Sequence, residues 1–211
     1  MWLLGNMTFP DPNQATEDGL VAIGGDLSSQ RLLTAYHSGI FPWYNENEPI
    51  LWWSPNPRMV LFPEQFKVSK SLRKTIRSGK FTVTFNTCFE NVIQACASIE
   101  RKGQKGTWIT PAMIEAYCRL HRGNHAVSVE VWEQDKLVGG LYGIDLKDKK
   151  IFCGESMFSL VSDASKVAFY FLVHYALKNN YQLIDCQVYN AHTASLGAVE
   201  ISRQEFLDYL K

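Results

Sequence analysis

Asp185 and Gln187 stand two residues apart inside residues 182–188 (QLIDCQV), a run whose apolar content and alternation predict a strand. Residues two apart on a strand point to one face, which puts a carboxylate beside a carboxamide and leaves Ile184 and Cys186 on the other. Such a pair suits handling of a proton on a nucleophile. It can equally be a buried polar pair that satisfies nearby backbone, and the residues alone leave both readings open.

A second cluster of chemistry is cationic. Residues 67–80 (KVSKSLRKTIRSGK) hold six basic side chains and no acidic one. Lys67, Lys70, Arg73, Lys74 and Arg77 fall three or four apart, on one face if the segment is helical, and would meet an anionic partner or simply face solvent. The tryptophans at 43 and 108 are stacking platforms or core. The five cysteines are widely spaced with no CxxC, and the histidines form no HExxH, so no disulfide framework and no metal site is expected.

Composition sets the frame for these groups. Among 211 residues 46% are hydrophobic, enough to bury a core, while 21 basic and 21 acidic residues cancel, so net charge alone does not announce a nucleic-acid binder. The longest apolar stretches fall short of the roughly 20 residues a membrane span needs, and the start lacks the basic-then-apolar layout of a signal peptide. A cytoplasmic protein without a membrane partner is expected.

The elements that must position the candidates follow from periodicity. All but one of the eight prolines lie at or before Pro63, with four of the six tryptophans, so residues 1–60 read as a small amino-terminal domain of short elements around one helix at 29–37. There Leu32, Leu33 and Tyr36 share a face. Residues 61–211 read as a second domain: strand 81–85, helix 87–99, helix 110–121, strands 126–133, 137–145 and 150–154, helix 163–178, strand 182–188, a short helix at 191–196 and a last strand after Gly197. This order resembles the GCN5-related N-acetyltransferase fold. The expected class is therefore α+β, a small amino-terminal domain followed by an acetyltransferase-like domain with a mixed sheet. A likeness of fold does not choose the acyl donor. In that fold a glycine-rich loop holds coenzyme A pyrophosphate, and the corresponding place here is taken to be residues 154–159 (GESMFS), which lack the glycines and carry Glu155.

Seven blocks carry a more specific resemblance: residues 19–27 (GLVAIGGDL), 39–43 (GIFPW), 52–58 (WWSPNPR), 106–109 (GTWI), 154–159 (GESMFS), 183–187 (LIDCQ) and 190–198 (NAHTASLGA). In these blocks and their order the chain resembles the leucyl/phenylalanyl-tRNA-protein transferases. Asn56 departs from a frequent aspartate, and Asn124 interrupts a Gly-His pairing. The resemblance implies transfer of Leu, Phe or Met from aminoacyl-tRNA to a protein beginning with Arg or Lys, which marks it for degradation. An activated ester becomes an amide, so neither ATP, metal nor any other cofactor is needed.

The same resemblance implies roles for residues. Asp185, working through Gln187, orients the incoming α-amine and helps to remove its proton, while Glu155 stands by the acceptor amine and the tRNA terminus. Trp43, with Trp108, stacks on the terminal adenine. Leu141, Met157, Leu172 and Ile184 line the amino-acid pocket, and Lys67, Lys70, Arg73, Lys74 and Arg77 meet acceptor-stem phosphates. A monomer is expected, as is the absence of a carboxy-terminal extension found in some relatives. Two alternatives are an acetyl-CoA-dependent N-acetyltransferase and a non-catalytic tRNA-binding module.

Overall fold

The computed structural model describes residues 1–5, 7–99 and 107–211. Gly106 of the GTWI block lies outside them. The amino-terminal part forms a four-stranded sheet in the order β1-β2-β4-β3, from β1 (Trp2–Leu3), β2 (Leu20–Gly24), β3 (Phe41–Pro42) and β4 (Leu51–Trp53). Between β2 and β3 runs helix α1 (Ser29–His37), which starts where the Ser28 side chain accepts from the Arg31 amide and buries Leu32, Ala35 and Tyr36. The turn after α1 requires glycine: Gly39 has φ 75°, and a Cβ there would lie 2.6 Å from the Leu207 side chain.

The larger sheet has seven strands in the order β11-β5-β10-β9-β8-β7-β6. They are β5 (Arg58–Leu61), β6 (Thr82–Phe85), β7 (Ala126–Glu133), β8 (Lys136–Leu146), β9 (Ile151–Ser159), β10 (Leu183–Gln187) and β11 (Val199–Ile201). β9 and β10 run parallel and every other neighbouring pair antiparallel. Alternation along the strands feeds two cores. Tyr142 and Ile144 face helices α3 (Phe89–Ser98) and α4 (Pro111–Arg122), whereas Val127, Val129, Val131 and Leu141 face α5 (Ala164–Lys178) and α2 (Lys70–Arg77). Helices α6 (Ala191–Ser195) and α7 (Arg203–Tyr209) complete the chain. The α+β class and the element order expected from residue 81 onward are both present.

Three particulars differ from the sequence reading. A division at residue 60 falls inside β5, because Arg58–Leu61 pair with β10 and β11 in the larger sheet. Residues 154–159 are not a loop but the second half of β9, paired with β8 as far as Ser159 opposite Gly139. The connection to α5 is therefore residues 160–163, and it ends on Asp163 at the helix N-cap, where a carboxylate would repel pyrophosphate. Helix α7 follows the last expected strand; Ser202, which accepts from the Glu205 amide, caps it.

Candidate active site

A parting of strands creates the site. β10 stays beside β9 only over Leu183–Asp185 opposite Ile151–Cys153. Beyond Cys153, β9 continues with β8 alone, so the strands separate and a cavity of about 560 Å³ opens between them. Two irregularities aim side chains at this gap. Gly154 pairs with Gly143 and Ser156 with Tyr142, leaving Glu155 as the extra residue of a bulge. On β10 the pairing to β5 shifts between Asp185 and Gln187, and Gln187 has φ 65°. Ile184 and Cys186 pack into the core under α5, whereas Asp185 turns to Arg58 and Gln187 to Glu155, so the expected split onto two faces is kept, although all four residues line the cavity.

Across the gap, Gln187 Nε2 donates to Glu155 Oε1 at 2.8 Å. Glu155 Oε2 accepts from the Tyr117 hydroxyl at 3.0 Å, and the Tyr117 hydroxyl is in turn bonded to that of Tyr36. Burial pushes the Glu155 carboxyl up to about 7, with nearby Asp185 adding to the rise, while Tyr36, Tyr117 and Gln187 pull it down by hydrogen bonding. Its charge state therefore changes near neutral pH.

Asp185 is placed differently. It is fully buried, its Oδ1 accepts from Arg58 Nε at 2.8 Å and from the Gln187 amide at 2.9 Å, and its Oδ2 accepts from Arg58 Nη2 at 2.6 Å. Arg58, itself buried, also donates from Nη1 to the Gly39 carbonyl at 3.2 Å. Its guanidinium lies 4.8 Å from the centre of Phe41 and 4.5 Å from that of Phe206. The bidentate pair fixes Asp185, and Asp185 fixes the Gln187 backbone. A nucleophilic thiol is not on offer, because burial raises Cys186 and Cys153 well above the ordinary range.

The rest of the cavity is mostly apolar, walled by Leu141, Met157, Leu172 and Ile184 together with Phe152, Phe158 and Phe169. Trp43 and Trp108 also line it. Trp43 keeps 41% of its surface exposed although its carbonyl accepts from Trp53 Nε1 at 2.6 Å. All nine residues named for catalysis and aminoacyl-adenosine binding thus meet in one cavity.

The five cations are elsewhere, exposed on α2 or just before it, with no acidic partner within ion-pair distance among the described residues. α2 runs beside the start of α5, where Thr75 Oγ1 donates to Asp163 at 3.2 Å, and Ser165 and Phe169 of α5 reach the cavity.

Arg58, Tyr36 and Tyr117 received no role from sequence. Arg58 lies within the WWSPNPR block and opens an apolar run, and an arginine in a buried strand demands a carboxylate partner. A tyrosine on an apolar helix face likewise demands a partner for its hydroxyl.

The chain is similar to known proteins over nearly its whole length. Residues 60–211 match the family model described as leucyl/phenylalanyl-tRNA protein transferase, and residues 25–56 match the one for that protein's N-terminal domain. Proteins named leucyl/phenylalanyl-tRNA--protein transferase are similar over nearly the whole length. That of Flavobacterium psychrophilum is 58% identical, covering 100% of this chain and 99% of its own. That of Christiangramia forsetii is 59% identical, covering 96% and 95%, and that of Syntrophobacter fumaroxidans 53% identical, covering 99% and 88%. Among solved structures, L-PGS from Bacillus licheniformis is 10% identical with a TM-score of 0.44, over 81% of this chain and 54% of that one. A GCN5-related N-acetyltransferase from Kribbella flavida gives 9% identity and a TM-score of 0.36, over 81% and 60%.

The protein is an aminoacyltransferase. It belongs to the leucyl/phenylalanyl-tRNA protein transferase family, whose members act between aminoacyl-tRNA and protein. Among the described residues no helix is long and apolar enough to cross a membrane.

Proposed function

We propose that this chain moves Leu, Phe or Met from aminoacyl-tRNA to the terminal amine of a protein beginning with Arg or Lys, acting as a monomer in the cytoplasm and without a cofactor. The marking of that protein for degradation is carried over from the family resemblance. The observation that carries the reading is the convergence, in one cavity, of an apolar pocket, two tryptophans and the Glu155–Gln187–Asp185 cluster.

In this reading the aminoacyl side chain enters among Leu141, Met157, Leu172 and Ile184. Unbranched and γ-branched chains fit, and the thioether of Met157 adapts to Leu, Phe or Met. Rejection of Ile and Val rests on the β-branch, worth about 1–3 kcal/mol. The adenine stacks on Trp43 with Trp108 beside it. The acceptor's α-amine attacks the ester carbonyl, a C–N bond forms, and the bond to the ribose 3′ oxygen breaks. Glu155, as the carboxylate, takes the proton from the amine and returns one to the departing oxygen. Asp185 acts by position: it holds Gln187, which holds Glu155. The charge of Glu155 also suits an acceptor side chain that is Arg or Lys.

Radiolabelled leucine on Leu-tRNA, offered to peptides beginning with Arg or Ala, tests this directly. Label should appear on the Arg peptide alone; acetylation from acetyl-CoA in its place would overturn the reading. Trp43→Ala should weaken binding of an aminoacyl-adenosine analogue by about 1–3 kcal/mol, the usual loss for one stacked base, as read by calorimetry.

The cations of α2 are assigned to acceptor-stem phosphates, an attachment that binds without reading sequence. Replacing Lys70, Arg73 and Lys74 by alanine should flatten the dependence of log affinity on log salt by about one for each phosphate no longer neutralised. Single-turnover transfer at saturating tRNA should stay as in the parent. An unchanged salt slope would remove the stripe from the tRNA interface.

A further inference from the structure

Two tyrosines reach Glu155 from elements that sequence reading placed in different domains. Tyr36 lies on α1, within the small amino-terminal part, and Tyr117 on α4, over the larger sheet. Both are buried, with 1% and 0% of their surface exposed. We infer that Tyr36 and Tyr117 are positioning residues of this active site, forming a directed hydroxyl chain that holds the Glu155 carboxylate in its charged form and ties the amino-terminal unit to the catalytic one.

The direction of the chain follows from proton counting. A phenol has one proton to donate, and Tyr117 gives its own to Glu155 Oε2. In the remaining bond the Tyr117 oxygen must therefore accept, and Tyr36 donate. Burial raises both phenols well above their ordinary range, so they remain donors throughout the working range of pH. A hydrogen bond donated to a carboxylate favours the charged form, and a donor that is itself polarised by a second donor favours it further.

The other groups around Glu155 do not supply a positive charge directly. From β10 come the Gln187 amide and Asp185, whose charge is already engaged by Arg58 of β5. From its own strand comes Cys153, kept as the thiol by burial, and from β8 the Tyr142 ring, packed edge-on against Tyr117. The balance of charge at Glu155 thus rests on neutral donors: two hydroxyls in sequence on one oxygen and a carboxamide on the other. A site that must release this carboxylate to meet an incoming ammonium gains from neutral donors, which do not compete as a fixed cation would.

This inference rests on the proposed role of Glu155, and its test separates the two. Protein labelled with 13C at glutamate carboxyls is titrated by NMR without substrates, Glu155→Gln identifying the signal. The parent should show an inflection near 7. In Tyr117→Phe it should move upward by about one pH unit, the usual worth of a hydrogen bond to a charged group, and in Tyr36→Phe it should also move upward, because the Tyr36 hydroxyl too holds the Glu155 value down. Phenylalanine keeps the ring packing, and Tyr36→Phe alone carries the test should Tyr117→Phe fail to fold. An inflection at the parent value in a folded variant would reduce the tyrosines to satisfied core residues and overturn the inference. The acidic limb of the transfer rate should move by the same amount as the NMR inflection. A moved inflection with an unmoved rate profile would leave the hydroxyl chain standing and remove Glu155 from the chemistry.

Discussion

Replacing Glu155 with glutamine is expected to slow aminoacyl transfer by about 10²–10⁴-fold at saturating donor, the range for loss of one general base. Glutamine keeps the size and the hydrogen bond to Tyr117 but cannot accept the amine's proton. Affinity for tRNA should hold, because the phosphate-binding cations assigned to α2 are remote from Glu155. The pH profile carries the sharper test. Below about 7 the buried carboxyl is protonated and inactive, so transfer by the parent enzyme should rise with pH through that value. The acceptor amine itself ionises near 8. Glu155→Gln should therefore lose the lower inflection and keep only the amine's, whereas an unaltered profile in the variant would dismiss Glu155 as the proton acceptor.

Stability should change in the opposite sense. A carboxyl whose folded value lies above its unfolded one favours the native state when protonated, and that benefit is lost as pH rises through the folded value. The variant should thus gain on the parent between about pH 5 and 8, by on the order of 3 kcal/mol when the rise from 4.5 to about 7 is complete. Melts at pH 5 and pH 8 would check this. Such a site sets activity against stability.

Arg58→Met is expected to be the most destabilising single change at the site. It leaves Asp185 charged, fully buried and without its counter-ion, a situation that costs about 3–5 kcal/mol. At about 2–4 °C per kcal/mol for a chain of this size, Tm should fall by roughly 10 °C. Removing both charges in Arg58→Met, Asp185→Asn should recover more than half of that loss. The double variant should remain slow in transfer, because the Gln187 amide loses its fixed acceptor. A single variant that melts with the parent would mean that the pair is not the anchor its geometry describes.

Much of the fold was legible because its signals are local. Alternation at residues 126–133 and 137–145, and Thr110-Pro111 opening α4, need only neighbours to be read. The site divided along the same line. Asp185 and Gln187 stand out as polar residues in an apolar strand, and their neighbourhood with Glu155 followed from the family blocks. What escaped depends on partners distant in sequence. Arg58 gains its meaning from Asp185, 127 residues later, and β5 looks like a linker until β10 and β11 flank it. Tyr117 sits on an apolar helix stripe and reads as packing, since nothing nearby shows that its hydroxyl faces Glu155. Glu155 lies on a bulge, and a single extra residue leaves no mark on the pattern of its strand.

The place of β5 between β10 and β11 also governs how the enzyme comes off the ribosome. Arg58–Leu61 emerges early, yet both of its edges are closed by strands that begin at Leu183 and Val199. At roughly 5–20 residues per second, an apolar strand with two open edges waits on the order of ten seconds for its neighbours. Through that interval the nascent chain cannot assemble the Arg58–Asp185 pair and so holds no formed site. Activity arises only after Leu183–Gln187 and Val199–Ile201 have been made, and the newborn strand stays open to other chains until then.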